Sequence, residues 1–214
     1  MKRRKQIVTY AFIDAANLFY GGEKSLGWKI DYARLFKYLK TKYGVTKVLY
    51  FGGVETHDYK CDYLKYDSVP IKAVEKSLRA VIASQGKRLD EAKLLLLSRH
   101  LQRIRFYLKL ESFGYQLFLK PVKTYHQADG TTQRKANCDV EMAFYLMKEA
   151  AAFDQVLVLS GDGDFLPVLK YIKQIGKGVI VLARGPRTAR EIRQFVGSDF
   201  RDFVRLKHEI KYVK

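Results

Sequence analysis

The sequence predicts an α/β fold with a mainly parallel central sheet, and three observations carry that prediction. Runs rich in β-branched and aromatic residues recur along the chain: QIVTYAFI (6–13), TKVLYFGGV (46–54) and QVLVLS (155–160), with YQLFLKPV (115–122) and GVIVLA (178–183) as two further candidates. Their apolarity is continuous rather than alternating, as expected of strands covered on both faces. Stretches with helical spacing fall between them, and strands alternating with helices build a sheet that carries helices on its faces.

Taken in order, the first strand ends on an acid, Asp14, within FIDAAN. Residues 30–39 place apolar side chains at helical spacing, and the helix is expected to close near Gly44. After the second strand comes a polar, aromatic loop, HDYKCDYLKYDS (57–68), followed by two successive helical stretches at 71–84 and 89–113 with no convincing strand between them. The longer one carries Leu94, Leu97, Leu101, Ile104 and Leu108, a series that packs against a core and leaves its arginines on a solvated face. Helical patterns return at 138–153 and at 165–175, the latter closing at Gly176. No repeat, low-complexity tract or Pro/Ser-rich linker divides the 214 residues, so the expectation is a single domain, 1–214, with a basic helical elaboration at about 57–113.

An apolar fraction of 48% suffices for a sizeable core. The formal charge is +18, from 40 Lys and Arg against 22 Asp and Glu, which favours a polyanionic partner. Between residues 71 and 123 there are twelve Lys or Arg and four acids, the most basic region of the chain. Cys61 and Cys138 form no CxxC pair, so neither a disulfide framework nor a structural zinc site is expected, and a reducing, cytoplasmic setting fits. No stretch approaches transmembrane length, and Asp14 interrupts the N-terminal apolar run too soon for a signal peptide, so no membrane partner is expected.

Against this basic background, the run LVLSGDGDF (157–165) delivers two aspartates, Asp162 and Asp164, to the end of a buried strand. If this strand lies parallel to the first, Asp14 meets them at one edge of the sheet, and ligands of open α/β sheets bind beyond the carboxyl ends of the strands. Asp139, at the start of a helix, is a fourth candidate. Like charges held close repel and raise one another's pKa, which a divalent cation with all-oxygen ligation, Mg²⁺ or Mn²⁺, relieves. Plainer roles stay open: Asp162 and Asp164 suit a turn and a helix N-cap, Asp139 a first-turn acid, and Asn17 a loop hydrogen bond.

The segments YAFIDAANLF, NCDVEMAFYLMKEA and VLVLSGDGDFLPVLKYIKQIGKGVIVL, in that order, resemble the NYN domain, the LabA-like branch of the PIN-domain nucleases. The likeness covers the first strand and most of the chain from about 135 to 182. It implies a PIN-like three-layer α/β/α sandwich and a metal-dependent ribonuclease whose products carry 5′-phosphate and 3′-hydroxyl ends. By position it assigns catalytic and metal-holding roles to Asp14, Asp139, Asp162 and Asp164, and supporting roles to Asn17 and Ser160. Where the family often shows Lys-Gly-x-Asp, this chain has Lys135-Ala136-Asn137-Cys138-Asp139, with the lysine one residue further from the acid.

The expected partner is nucleic acid, single-stranded RNA in particular. Lys123, Lys135, Arg184, Arg187 and Arg190 are candidates for phosphate contact, the last three in a Gly-Pro turn after a strand on the same sheet edge. Tyr59, Tyr63, Tyr66, Tyr125 and His126 lie in loop-like segments beside lysines and would stack bases or simply anchor their loops. The long helix would also suit a homodimer. Two other readings remain: a module that binds nucleic acid without cutting it, and a haloacid-dehalogenase-like phosphatase. The latter is weakened because Asp14-Ala15-Ala16 lacks the second acid of an Asp-x-Asp nucleophile motif.

Overall fold

The computed structural model describes residues 7–19, 24–57, 59–62, 64–85, 89–126 and 131–213. Its elements run β1 (Thr9–Asp14), α1 (Ala15–Asn17), α2 (Lys24–Leu26), α3 (Tyr32–Tyr43), β2 (Val45–Val54), α4 (Ile71–Gln85), α5 (Glu91–Phe113), β3 (Tyr115–Pro121), β4 (Lys123–His126) and β5 (Thr132–Lys135). They continue with α6 (Asp139–Lys148), β6 (Gln155–Leu159), α7 (Leu166–Gln174), β7 (Gly178–Ala183), α8 (Arg190–Val196), β8 (Phe200–Asp202) and α9 (Lys207–Ile210).

Six strands form one sheet in the order β3-β2-β1-β6-β7-β8, and the pairings of β1 with β2, β1 with β6, β6 with β7 and β7 with β8 are all parallel. The α/β sandwich expected from the alternation of strands and helices is the fold of the chain. Continuous apolarity in the strands has its expected consequence: Val156 to Leu159 and Val179 to Ala183 are buried without interruption. The register brings Ile13 level with Leu159 and Asp14 level with Phe51. The chain therefore leaves β1 and β6 at the same height on the same edge, a consequence of parallel pairing.

Two compact units divide the chain, one made of Met1–Phe51, Gly114–Gln116 and Asp139–Lys214, the other of Gly52–Phe113 and Leu117–Cys138. In the first, Phe12 stacks on Phe51 with centroids 6.1 Å apart and meets Phe153 edge-on at 6.3 Å. Helix α3 starts at Tyr32 rather than at residue 30 because Asp31 is its N-cap, its carboxylate accepting from the Arg34 amide at 3.0 Å. It stops where expected, at Gly44, whose φ of 63° suits glycine and lets its N–H close on the Leu39 and Lys40 carbonyls.

In the second unit α4 and α5 follow one another, as expected. Leu97 and Ile104 of the expected apolar series are fully buried, whereas Leu94, Leu101 and Leu108 are half-buried, and Tyr107 and Leu110 complete the core. The Tyr107 hydroxyl donates to the Gly53 carbonyl at 2.6 Å. The antiparallel ladder of β4 and β5 was not expected. Its strands, KTYH and TQRK, are polar and carry no apolar alternation from which a strand could be read.

Candidate functional site

Asp14 closes β1 and caps the single turn α1. Its Oδ1 accepts from the amides of Ala16 at 3.0 Å and Asn17 at 3.1 Å, while its Oδ2 accepts from the Ser160 hydroxyl at 3.1 Å. Ser160 is almost fully buried, and its Oγ in turn accepts from the Asp162 amide at 3.3 Å. Asn17 joins the same two strand ends from the other side, its Oδ1 accepting from the Gly161 amide at 3.1 Å. Two segments separated by more than 140 residues are thus stitched together by a serine, an asparagine and one carboxylate.

The SGDGD turn owes its shape to its glycines. A Cβ on Gly161 would lie 2.7 Å from the Thr188 hydroxyl oxygen and 2.9 Å from Thr188 Cα, and one on Gly163 would lie 2.6 Å from a Glu191 carboxylate oxygen. The Gly161 carbonyl accepts from the Ala189 amide at 2.9 Å. Asp162 caps the following 3₁₀ turn, its Oδ1 accepting from the Asp164 amide at 3.0 Å. The N-cap role that the sequence leaves open is therefore present in the fold. Asp164 is exposed and Asp162 half-buried.

Burial pushes the Asp14 carboxyl above its ordinary range. The Asn17 amide and the Ser160 hydroxyl oppose that rise, the charge of Asp139 adds to it, and the Ala16 amide opposes it. Asp139 opens α6 as expected and is half-buried. The charge of Asp139 thus reaches Asp14, and the Asp162 amide is tied to Asp14 through the Ser160 hydroxyl. The four aspartates are not gathered into one ligating set: among the described residues no group of three or more His, Cys, Asp and Glu side chains is placed to hold a metal ion. Asp162 accepts from one amide of its own turn, and Asp14 accepts from two nearby amides on one oxygen and from the distant Ser160 hydroxyl on the other, which leaves further lone pairs on both carboxylates. Half-buried carboxylates of like charge nonetheless have the all-oxygen donor chemistry that Mg²⁺ or Mn²⁺ takes.

At the end of β7, Arg184 is half-buried, and its Nε is shut off from solvent and makes no hydrogen bond among the described residues. Arg187 and Arg190 are exposed, as is Lys123 on β4. The side chains of Lys135, Tyr125 and His126 lie outside the described residues, as does Tyr63. Tyr59 is half-buried, and Tyr66 is exposed with the Lys65 ammonium 5.5 Å from its ring centroid. Sequence reasoning missed Thr188 and Glu191, which wall the SGDGD turn, and Glu141, whose Oε2 is buried. Glu141, two residues after Asp139 in the first turn of a helix, was open to detection from that spacing. Thr188 and Glu191 carry no local signal, because only the fold brings them to the turn.

Residues 76–203 match the NYN domain family. The low amplitude and bright protein LabA of Synechococcus elongatus is 26% identical over 102 residues, covering 44% of this chain and 55% of that protein, so the chain spans about half the length of the curated relative it matches. Among solved structures, a Vibrio parahaemolyticus protein of unknown function superposes with a TM-score of 0.60 at 17% identity, covering 99% of this chain and 100% of that one. The T5 D15 protein crystallised with metal ions gives a TM-score of 0.44 at 14% identity, over 87% of this chain and 59% of that one.

Proposed function

Because the chain belongs to the NYN domain family, we propose that it is a PIN-like, metal-dependent endoribonuclease hydrolysing RNA phosphodiester bonds. The observation that carries this reading is the half-buried Asp14 at the carboxyl edge of a parallel sheet, tied through Ser160 and Asn17 to the turn that bears Asp162 and Asp164. We take 1–214 as one such domain with a helical elaboration, acting on single-stranded RNA.

Asp14 and Asp139, together with Asp162 and Asp164 from the SGDGD turn, would supply the carboxylates for Mg²⁺ or Mn²⁺. When bound, the metal supplies Lewis acidity that activates water for in-line attack and neutralises charge on the phosphodiester oxygens. Ser160 holds one Asp14 oxygen towards the Asp162 turn, and the Ala16 and Asn17 amides hold the other, so the carboxylate keeps one orientation. Asn17 locks the SGDGD turn to β1 through the Gly161 amide. Arg184, Arg187 and Arg190 would meet phosphates on the same edge, and the buried, unbonded Nε of Arg184 supports an anionic ligand there. Lys123 and Lys135 would add phosphate contacts.

The purified chain incubated with labelled single-stranded RNA and matched DNA is expected to cleave RNA in Mg²⁺ or Mn²⁺ and to stop in EDTA. Asp14→Asn and Asp162→Asn are each expected to lower the rate by at least about a hundredfold, within the range for lost transition-state electrostatics. Full activity in Asp162→Asn would remove that residue from the site. A second reading, a module that binds nucleic acid without cutting it, is favoured by one observation: the described residues bring no three ligating side chains together. Salt-sensitive binding without cleavage under any metal would put that reading first.

A further inference from the structure

We propose that the cleft between α3 and β8 is a nucleotide-binding site, separate from the carboxylate edge, that takes a base together with its phosphate. The cleft has a volume of about 550 Å³ and is walled by Tyr38, Tyr43, Phe200, Arg201 and Arg205. A second hollow of about 390 Å³ shares Tyr38 and Arg205 and brings in Lys42. None of Asp14, Asp139, Asp162 or Asp164 lines either space.

The chemistry of the walls selects the ligand. Tyr38 and Tyr43 meet edge to face at 5.9 Å and an interplanar angle of 76°, so with Phe200 they present an aromatic wall of the kind on which bases stack. Arg201 is fixed in place, its guanidinium donating to the carbonyls of Ser198 and Phe200, the latter at 3.0 Å. That anchoring spares the entropy of ordering it on a ligand. Arg205 and Lys42 are in no ion pair among the described residues. Arginine forks suit phosphate oxygens, and two arginines beside aromatic rings, with Lys42 in the adjoining hollow, match a nucleotide better than a neutral or purely aliphatic molecule. Of the two acids present, Asp202 turns one oxygen to the Val204 amide at 3.0 Å, and the two spaces together hold three cations against two carboxylates. Glu209, in the outer hollow, is left to accept from ribose hydroxyls or a base amino group.

The fold also supplies a reporter. The only tryptophan, Trp28, is stacked on Phe203 with centroids 6.1 Å apart and planes within 8°, and Phe203 opens the turn Phe203–Leu206 that carries Arg205. Occupation of the cleft should disturb that stack.

The test is run in EDTA, so its outcome is separate from that of the proposed cleavage. The full chain is titrated with AMP, adenosine and inorganic phosphate, followed by Trp28 fluorescence and calorimetry. AMP is expected to bind saturably, one per chain, with adenosine and phosphate each at least about tenfold weaker because each lacks one half of the recognition. Arg205→Ala, an exposed position, should weaken AMP about tenfold. Tyr38→Phe should keep AMP binding, since the stacking ring remains. A short single-stranded oligonucleotide, added to the Asp14→Asn chain, separates the two sources of the ligand. Competition with AMP for the same site identifies a nucleotide within a strand, and AMP binding without competition identifies a free nucleotide. Absence of AMP binding, AMP binding unchanged by Arg205→Ala in a chain with an unaltered melting curve, or binding of an oligoglutamate peptide in place of AMP would each overturn the proposal.

Discussion

Asp14 is the residue on which the site turns, because it is half-buried, acidic, and desolvated more than its hydrogen bonds offset. Its raised pKa means that the folded chain holds this proton more tightly than the unfolded chain does. The sign follows: relative to the protonated form, stability is lost as pH rises from the ordinary value of 3.8 through the higher folded value. Asparagine keeps an acceptor for the Ala16 and Asn17 amides and can donate to Ser160, while removing the buried charge. Asp14→Asn in EDTA at pH 7 is therefore expected to melt higher than the parent chain, by about 2–4 °C for each ~1 kcal/mol relieved. The gap should close as pH falls below the ordinary aspartate value. A lower melting temperature at pH 7 would mean that the hydrogen-bond network, not charge burial, dominates this position. The acid and its place at a strand end were legible in FIDAAN, and the resemblance already grouped it with Asp139; its hydrogen bonds to Ser160 and to the Ala16 and Asn17 amides were not, because they depend on how two distant strand ends meet.

Among the elements, the SGDGD turn shows why glycines stand where they do. Neither Gly161 nor Gly163 has a positive φ, so conformational freedom is not the reason. Close approach is: the backbone of Thr188 lies against Gly161 with no room for a methyl group. Gly161→Ala should push the turn away from Thr188, costing about 1–3 kcal/mol in a urea melt, as overpacking does. Cleavage should fall with it, because Asp162 and the Asn17 hydrogen bond move together. An alanine variant of unchanged stability and activity would show that Thr188 gives way freely. The same scale explains what periodicity could and could not reveal. α3, α5, α7, β6 and β7 were readable because burial on defined faces imposes a pattern on their residues. Helix α6 ends at Lys148 although the apolar pattern runs on to Phe153, since Ala150 and Phe153 are buried by the turn that follows rather than by a further helical turn. The β4–β5 ladder, held by backbone pairing between polar strands, left no such trace.

For the molecule as a whole, charge is the dominant signal. A formal +18 should make nucleic-acid binding strongly salt-dependent, with log K falling by about 0.7 per log unit of salt for each single-strand phosphate neutralised. Replacing Arg184, Arg187 and Arg190 by alanine in the Asp14→Asn chain is expected to flatten that slope by about 0.7 for each phosphate that is no longer neutralised, measured by fluorescence anisotropy between low and physiological salt. An unchanged slope would move the phosphate-binding groups elsewhere, the basic region at 71–123 being the first alternative. Among the described residues no helix is long and apolar enough to cross a membrane.

Composition and pattern were enough for the fold class and the parallel strands, and the resemblance of three short segments was enough for the family and for naming the candidate acids. Each of these is written in local residue order: hydrophobic period, strand-ending aspartates, and short motifs spaced along the chain. What tertiary structure decided is which groups meet. It coupled Asp14 with Asp139, made Ser160 and Asn17 the ties between distant strand ends, set Thr188 and Glu191 against the glycine turn, and opened the aromatic, basic cleft beside α3. These juxtapositions join residues far apart in the chain, and distances of a few ångströms between such residues come from the packing of the whole fold rather than from any local pattern.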